Sequence, residues 1–196
     1  MTVGLLLAAG EGQRLGHGPK AMLRAPDADS LVRRAVITLL DGGCDRVVVV
    51  AGAGADEVRA ELSTLPCQLV VNPAWSSGLA SSFAAGVAEA ARLGASRVLV
   101  ALVDQPGLTP GAVEHLLARA APSRVTAAAY DGERGHPLLL PLAFAQEAAA
   151  QATGDAGARE WLRAHPELVD LVELGHLADG RDIDTPTDLA AWREAR

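Results

Sequence analysis

Aromatic residues make up only 3% of the 196 residues, which leaves too few rings for the stacking platforms that bind single-stranded nucleic acid. Positive charge is also scarce: 17 Lys and Arg face 24 Asp and Glu, a formal net charge of −7. Nucleic acid and anionic membrane surfaces both call for the opposite balance, so neither is expected as a partner. The two cysteines, Cys44 and Cys67, lie far apart in no metal-ligand spacing. Each reads as a small buried hydrophobe in a reducing compartment. Long hydrophobic runs are missing as well. The apolar stretch at residues 3–9 follows no positive charge and is too short to cross a bilayer, so it reads as a first, buried strand. A soluble, cytoplasmic protein is the expectation.

What is present is a globular balance, 49% hydrophobic and 21% charged, with length enough for one domain over residues 1–196. Short Val- and Leu-rich runs at 46–51, 68–71 and 97–103 join the first one as strands buried on both faces. Between them, residues 30–40, 55–65 and 79–93 carry apolar positions at helical spacing. Strands separated by helices predict βαβ units: a three-layer α/β/α domain with a mostly parallel, Rossmann-like sheet. Further along, Thr109-Pro110 opens a helix to about residue 121. Strands at 125–130 and 137–140 bracket a polar turn at 131–135, helices follow at 142–151 and 155–164, and a strand at 168–173. Thr185-Pro186-Thr187-Asp188 begins a terminal helix with a capping-box pattern.

The loop after the first strand is the most informative segment. Gly10, Gly12 and Gly16 sit where the chain turns over the sheet edge, with Arg14 and Lys20 beside them. Glycines let backbone amides approach a ligand, and a forked guanidinium plus an ammonium complete a cradle for polyphosphate. The spacing fits neither the dinucleotide fingerprint nor a P-loop, since the third glycine comes one residue late and Lys20 stands between Pro19 and Ala21. Two acidic motifs complement the loop. Asp104, in Asp104-Gln105-Pro106, ends an apolar strand on the rim where α/β sheets bind ligands, placed to hold Mg²⁺ or to cap a turn. In Asp182-Ile183-Asp184-Thr185-Pro186, an inward Ile183 would leave both carboxylates facing the other way.

Leu-Ala-Ala-Gly-x-Gly-x-Arg-x-Gly…Pro-Lys over residues 7–20 resembles the signature of the sugar-phosphate and cofactor nucleotidyltransferases, and above all the molybdenum-cofactor cytidylyltransferase-like, MobA-like proteins. The likeness runs from Leu5 to about Leu189, with His17-Gly18-Pro19 setting Lys20 one residue farther from Gly16 than in the usual pattern. It implies a nucleotide-diphospho-sugar transferase type of fold, with Leu7, Ala8, Ala9, Gly10, Gly12, Arg14 and Lys20 around the NTP phosphates. It implies Asp104 and Asp184 as Mg²⁺ ligands, with Arg14, Lys20 and Asp104 catalytic. Asn72-Pro73-Ala74-Trp75-Ser76-Ser77-Gly78-Leu79-Ala80-Ser81-Ser82 matches the family's nucleotide wall and contributes Asn72, Gly78, Ser81 and Ser82. By itself that stretch would read as a helix capped by Ser76 or Ser77. Arg134-Gly135-His136-Pro137 and the segment at 154–159 match the acceptor side, pointing to His136, Asp155 and Arg159. Arg159 would bind an acceptor phosphate or pair with Asp155 or Glu160.

The activity so implied is transfer of NMP from an NTP, CTP favoured, to a phosphorylated acceptor such as molybdopterin, with pyrophosphate released and a molybdoenzyme receiving the product. Relatives use GTP instead. Two other readings stay open on the same residues: a reductase of the nicotine blue oxidoreductase type using a reduced nicotinamide cofactor, and a non-catalytic accessory protein that binds the pterin cofactor for insertion.

Overall fold

The computed structural model describes residues 1–12, 18–24 and 29–194. β1 (Thr2–Ala8), β2 (Arg46–Ala51), β3 (Cys67–Val71), β4 (Arg97–Leu102), β5 (Val125–Tyr130), β6 (Glu133–Pro141) and β7 (Val169–Glu173) form one sheet in the order β3-β2-β1-β4-β6-β5-β7. Only β6 runs against its neighbours, so the sheet is mostly parallel as the alternation of strands and helices predicts.

Strand alternation divides the core into two layers. Val3, Leu5 and Leu7 of β1 pack with Phe83 and Val87 of α3 (Leu79–Arg92), Ala145 of α5 (Leu142–Gln151) and Trp161 of α6 (Arg159–Ala164). Leu6 and Ala8 face the other way. They pack with Val32 and Val36 of α1 (Leu31–Asp41), Val58 of α2 (Ala55–Glu61), Leu116 of α4 (Pro110–Ala118) and Leu189 of α7 (Pro186–Glu194). The result is helix, sheet, helix, the architecture expected of strands that are apolar on both faces. Among the described residues, no helix is long and apolar enough to cross a membrane.

Helix starts follow the sequence signals. Ser30 Oγ accepts from the Arg33 amide at 3.2 Å, and Thr109 Oγ1 from the Ala112 amide at 3.2 Å with Pro110 as the first helical residue. At α7 the Asp188 amide donates to Thr185 Oγ1 at 3.2 Å while Asp188 Oδ2 accepts from the Thr185 amide at 2.8 Å, a reciprocal cap.

Three expectations need correction. β3 is an edge strand rather than one buried on both faces, and Val71 is 43% exposed; a short apolar run does not tell an edge from a centre. The helix expected at 155–164 begins only at Arg159, because the chain first turns, with the Ala156 amide bonded to Thr153 O and the Arg159 amide to Ala156 O. The turn expected over 131–135 shrinks to Asp131-Gly132, both at positive φ, so β6 starts at Glu133. Asp-Gly at positive φ makes the tight two-residue hairpin that matches strand twist. Glu173 fixes it by accepting from the Asp131 and Gly132 amides at 3.2 and 3.0 Å.

Helix packing leaves little slack where α1 ends against α4. A Cβ on Gly42 would lie 2.4 Å from Val113 Cβ and 2.6 Å from Val113 Cγ1. Gly42→Ala should therefore cost about 1–3 kcal/mol by overpacking, read as a lower urea midpoint with an unchanged slope.

Candidate active site at the sheet rim

The parallel strands end together. Leu7 lies opposite Val50 of β2 and Leu102 of β4, so the segments after β1, β2 and β4 leave the sheet along one rim, where α/β folds bind ligands. Backbone bonds hold them there: the Val103 amide donates to Leu7 O at 3.2 Å and the Ala53 amide to Ala9 O at 3.1 Å.

Asp104 stands on that rim, two residues past β4. The Ile183 amide donates to Asp104 O at 2.8 Å, and the Ile183 side chain is buried in the core beside α7. That single crossing brings Asp184 to Asp104. Lys20 Nζ lies between the two carboxylates, 2.9 Å from Asp104 Oδ2 and hydrogen-bonded to Asp184 Oδ1. Burial opposes the charge on Lys20, but the hydrogen bonds to Asp184 and Asp104 and their negative charge outweigh it and raise the lysine pKa. Lys20 is also the chain's only lysine. Asp182, the other flank of Ile183, accepts from Gln105 Nε2 at 2.8 Å; burial raises its pKa, reinforced by the nearby Asp104 and Asp184 charges.

A cavity of about 380 Å³ opens beside this cluster. Leu7, Ala9, Gly10, Gly12, Lys20, Gly78, Ser82, Asp104 and Asp155 line it, together with Trp75 and Ser76, which the residue-by-residue reading did not select. Ala8 is buried on the opposite face of β1. A Cβ on Gly12 would stand 2.9 Å from Lys20 Cγ, so a bulkier residue would push on the lysine stem. Gly78 has φ 115°, and a Cβ there would sit 2.5 Å from the backbone of Gly154. Only glycine tolerates both conditions. The cap expected from Ser76 or Ser77 is supplied instead by Asp155, whose Oδ1 accepts from the Leu79 amide at 3.2 Å while Ser77 Oγ donates to Ala74 O. Asp155, grouped by resemblance with the acceptor side, thus faces the first cavity. Asn72 is nearly inaccessible: its Nδ2 donates to Ser81 and Ser82 Oγ at 2.9 and 3.0 Å, and its Oδ1 accepts from the Ala74 amide. With Ser81 Oγ donating to the Ala74 and Gly78 carbonyls, these residues shape the wall from behind. Arg14 and Gly16 lie outside the described residues.

A second cavity of about 370 Å³ shares Leu7, Leu79 and Leu102 with the first and holds His136 and Arg159. Tyr130 Oη donates to His136 O at 3.0 Å and fixes that stretch of β6. Burial lowers the His136 pKa to about 4, with the Arg134 and Arg159 charges adding to the shift and Asp104 opposing it. The imidazole is therefore neutral at pH 7.

Asp104 and Asp184 suit a divalent cation in chemistry and placement, since one ammonium already reaches both. Among the described residues no third His, Cys, Asp or Glu completes a metal-ligand group. That fits a hard ion which takes one or two carboxylates and draws its other ligands from water and phosphate.

Lys20→Met would leave those carboxylates without a counter-charge. Because Asp184 is half exposed, the expected loss at pH 7 is about 1 kcal/mol, and millimolar Mg²⁺ or Mn²⁺ should recover it in a thermal melt. For His136 the folded pKa lies below the ordinary 6.5 at about 4. The unfolded chain then binds the extra proton first, so stability is whole above pH 6.5 and falls toward pH 4, by up to about 3 kcal/mol. His136→Gln should flatten that part of a pH–stability profile.

Comparison with known proteins agrees with this geometry. The MobA-like NTP transferase domain matches residues 4–169. The nicotine blue oxidoreductase of Paenarthrobacter nicotinovorans is 45% identical over 191 residues, 94% of this chain and 92% of its own. A nucleotidyl transferase from Methanothermobacter thermautotroptrophicus superimposes with a TM-score of 0.84 at 24% identity, covering 100% of this chain and 97% of its own. The manganese complex of Rv0371C from Mycobacterium tuberculosis gives 0.80 at 22% identity, covering 100% and 99%. At such identities the two structures establish the nucleotidyltransferase-like fold. With the domain matched over most of its length, the chain belongs to the MobA-like NTP transferase family.

Proposed function

We propose that the protein is a Mg²⁺-dependent nucleotidyltransferase that moves NMP, with CMP from CTP favoured, onto a phosphorylated small molecule such as molybdopterin. The observation that carries this reading is the meeting of Asp104, from the middle of the chain, and Asp184, from near its end, on Lys20 at the rim of a glycine-lined cavity. A metal triphosphate needs hard oxygen donors for the ion and cations for the phosphates. Hydride transfer from a nicotinamide dinucleotide needs cations for its pyrophosphate but no metal ion.

Asp104 and Asp184 would hold the ion, which supplies Lewis-acid polarisation of the phosphoryl oxygens when bound. With its carboxylates so engaged, the Lys20 ammonium is available to the phosphate chain. An acceptor phosphate oxygen bonds to the α-phosphorus as the α–β bridging bond breaks, and pyrophosphate leaves with that electron pair. No covalent protein intermediate is required. The chain's own part is alignment and charge stabilisation, with Gly10 and Gly12 letting the nucleotide approach the backbone and Arg14 adding a second cation by family resemblance.

A second reading has one specific support, the 45% identity to nicotine blue oxidoreductase. In it, the same cavity would hold the pyrophosphate of a reduced nicotinamide dinucleotide. A thermal-shift panel of CTP, GTP, ATP, UTP and NADPH, each with and without Mg²⁺, separates the two. The transferase predicts a Mg²⁺-dependent rise with one NTP, loss of that rise in Asp104→Asn, and a fall in pyrophosphate release of about a hundredfold or more. A metal-independent rise with NADPH alone would replace it with the reductase. Nucleotide binding with no pyrophosphate released in the presence of molybdopterin would leave only an accessory, cofactor-carrying role.

A further inference from the structure

Lys20 reaches the rim from a backbone that is held on both sides. Ala21 is fully buried, the Met22 amide donates to Pro19 O at 2.9 Å, and the Leu23 amide donates to Lys20 O at 3.1 Å. A Cβ on Gly54 would lie 2.5 Å from Pro19 Cγ, so the start of α2 abuts the same loop. The freedom left to the residue is in its four-carbon stem. That stem touches both carboxylates and also lines the first cavity.

The ammonium occupies the one point that both carboxylates share. Among the described residues, the carboxylate groups of Asp104 and Asp184 accept no hydrogen bond and form no ion pair except with Lys20. A Mg²⁺-sized ion would bind their oxygens at about 2 Å, and to reach both it needs that same point. Ion and ammonium cannot sit there together, since like charges repel strongly at short range in a partly buried place. One leaves when the other binds. The Lys20 side chain is only 16% exposed, so an ammonium withdrawn from its partners is poorly solvated until an anion meets it in the cavity. A phosphate chain is such an anion.

We propose that Lys20 is a stand-in cation, which keeps the carboxylate pair closed to free metal and yields it to metal that arrives with a phosphate chain. By linkage, metal and nucleotide then strengthen each other's binding by the same factor. The nucleotide half of this inference rests on the transferase reading; the exclusion of free metal does not. It also reverses the usual sign for a site residue. A lysine that only contacts phosphate would leave the affinity for free metal unchanged when removed, whereas here its removal strengthens that affinity.

Direct binding of Mn²⁺ to the full chain, followed by the paramagnetic signal of the free ion, reads this without reference to turnover. In about 0.5 M salt, which screens all but close charges, Lys20→Met should bind Mn²⁺ about tenfold or more tighter than the unaltered protein. Adding Asp104→Asn to that variant should abolish the gain, and thermal melts verify that both variants fold. A second readout follows the amine itself. Lys20 is the only lysine, so its acetylation, measured by mass spectrometry against that of the N-terminal amine, reports its exposure. Saturating Mn²⁺ should speed that acetylation several-fold, and CTP or another NTP added with the metal should cover the amine again. Equal Mn²⁺ affinity in the unaltered and Lys20→Met proteins, or a Lys20 that stays covered with Mn²⁺ bound, overturns the exchange and leaves the metal site standing. Absence of Mn²⁺ binding to either protein, with or without NTP, removes the exchange and the metal-dependent transfer together. If Mn²⁺ displaces Lys20 as expected but no NTP covers it again, the exclusion of free metal stands and the transferase reading falls.

Discussion

Three charges at one point organise this molecule. Lys20 between Asp104 and Asp184 ties together the loop after β1, the end of β4 and the entry to α7. Each carboxylate alone on the rim would be an ordinary solvated group. Together, and without a cation, they would repel at short range in a partly buried place. The fold therefore has a standing demand for positive charge at that spot, met by its only lysine when nothing else is bound. In a protein of net charge −7, one lysine between two carboxylates still leaves the spot negative, so a polyphosphate bound there would need further positive charge brought with it.

The sheet provides the precision for that arrangement. Parallel strands in one register end at one level, so the segments following them start from fixed, adjacent points. Below the rim, residues of opposite parity on β1 are locked into separate layers. Above it, the Asn72, Ser81 and Ser82 network and the Asp155 cap hold the start of α3. These groups give the cavity its wall by satisfying one another, leaving the backbone at Gly10 and Gly12 open to a ligand.

Most of the fold was legible because its signals are local. Apolar runs of strand length, helical spacing between them and the caps at Thr109 and Thr185 all depend on neighbours in sequence. The carboxylate pair was legible only through resemblance, since nothing in composition or period says that Asp104 and Asp184 meet. Their meeting depends on one backbone bond from Ile183 and one buried side chain. Asn72 reads in sequence like a ligand contact, but its bonds run to side chains that only the packed structure brings near. Arg134 fell inside a segment read as turn, and its facing became visible once the turn proved to be two residues long.

That hairpin has a consequence for how such a site diverges. Because side chains alternate along a strand, one inserted residue between Tyr130 and Glu133 would rotate the next positions by half a period. Arg134, paired with Ala129 right after the turn, would then point away from the cavity it lines. Loop length, rather than any one substitution, is thus a lever that would erase or install the cationic wall in a single step. The three amides that Glu173 holds at and beside this hairpin are what guard its length.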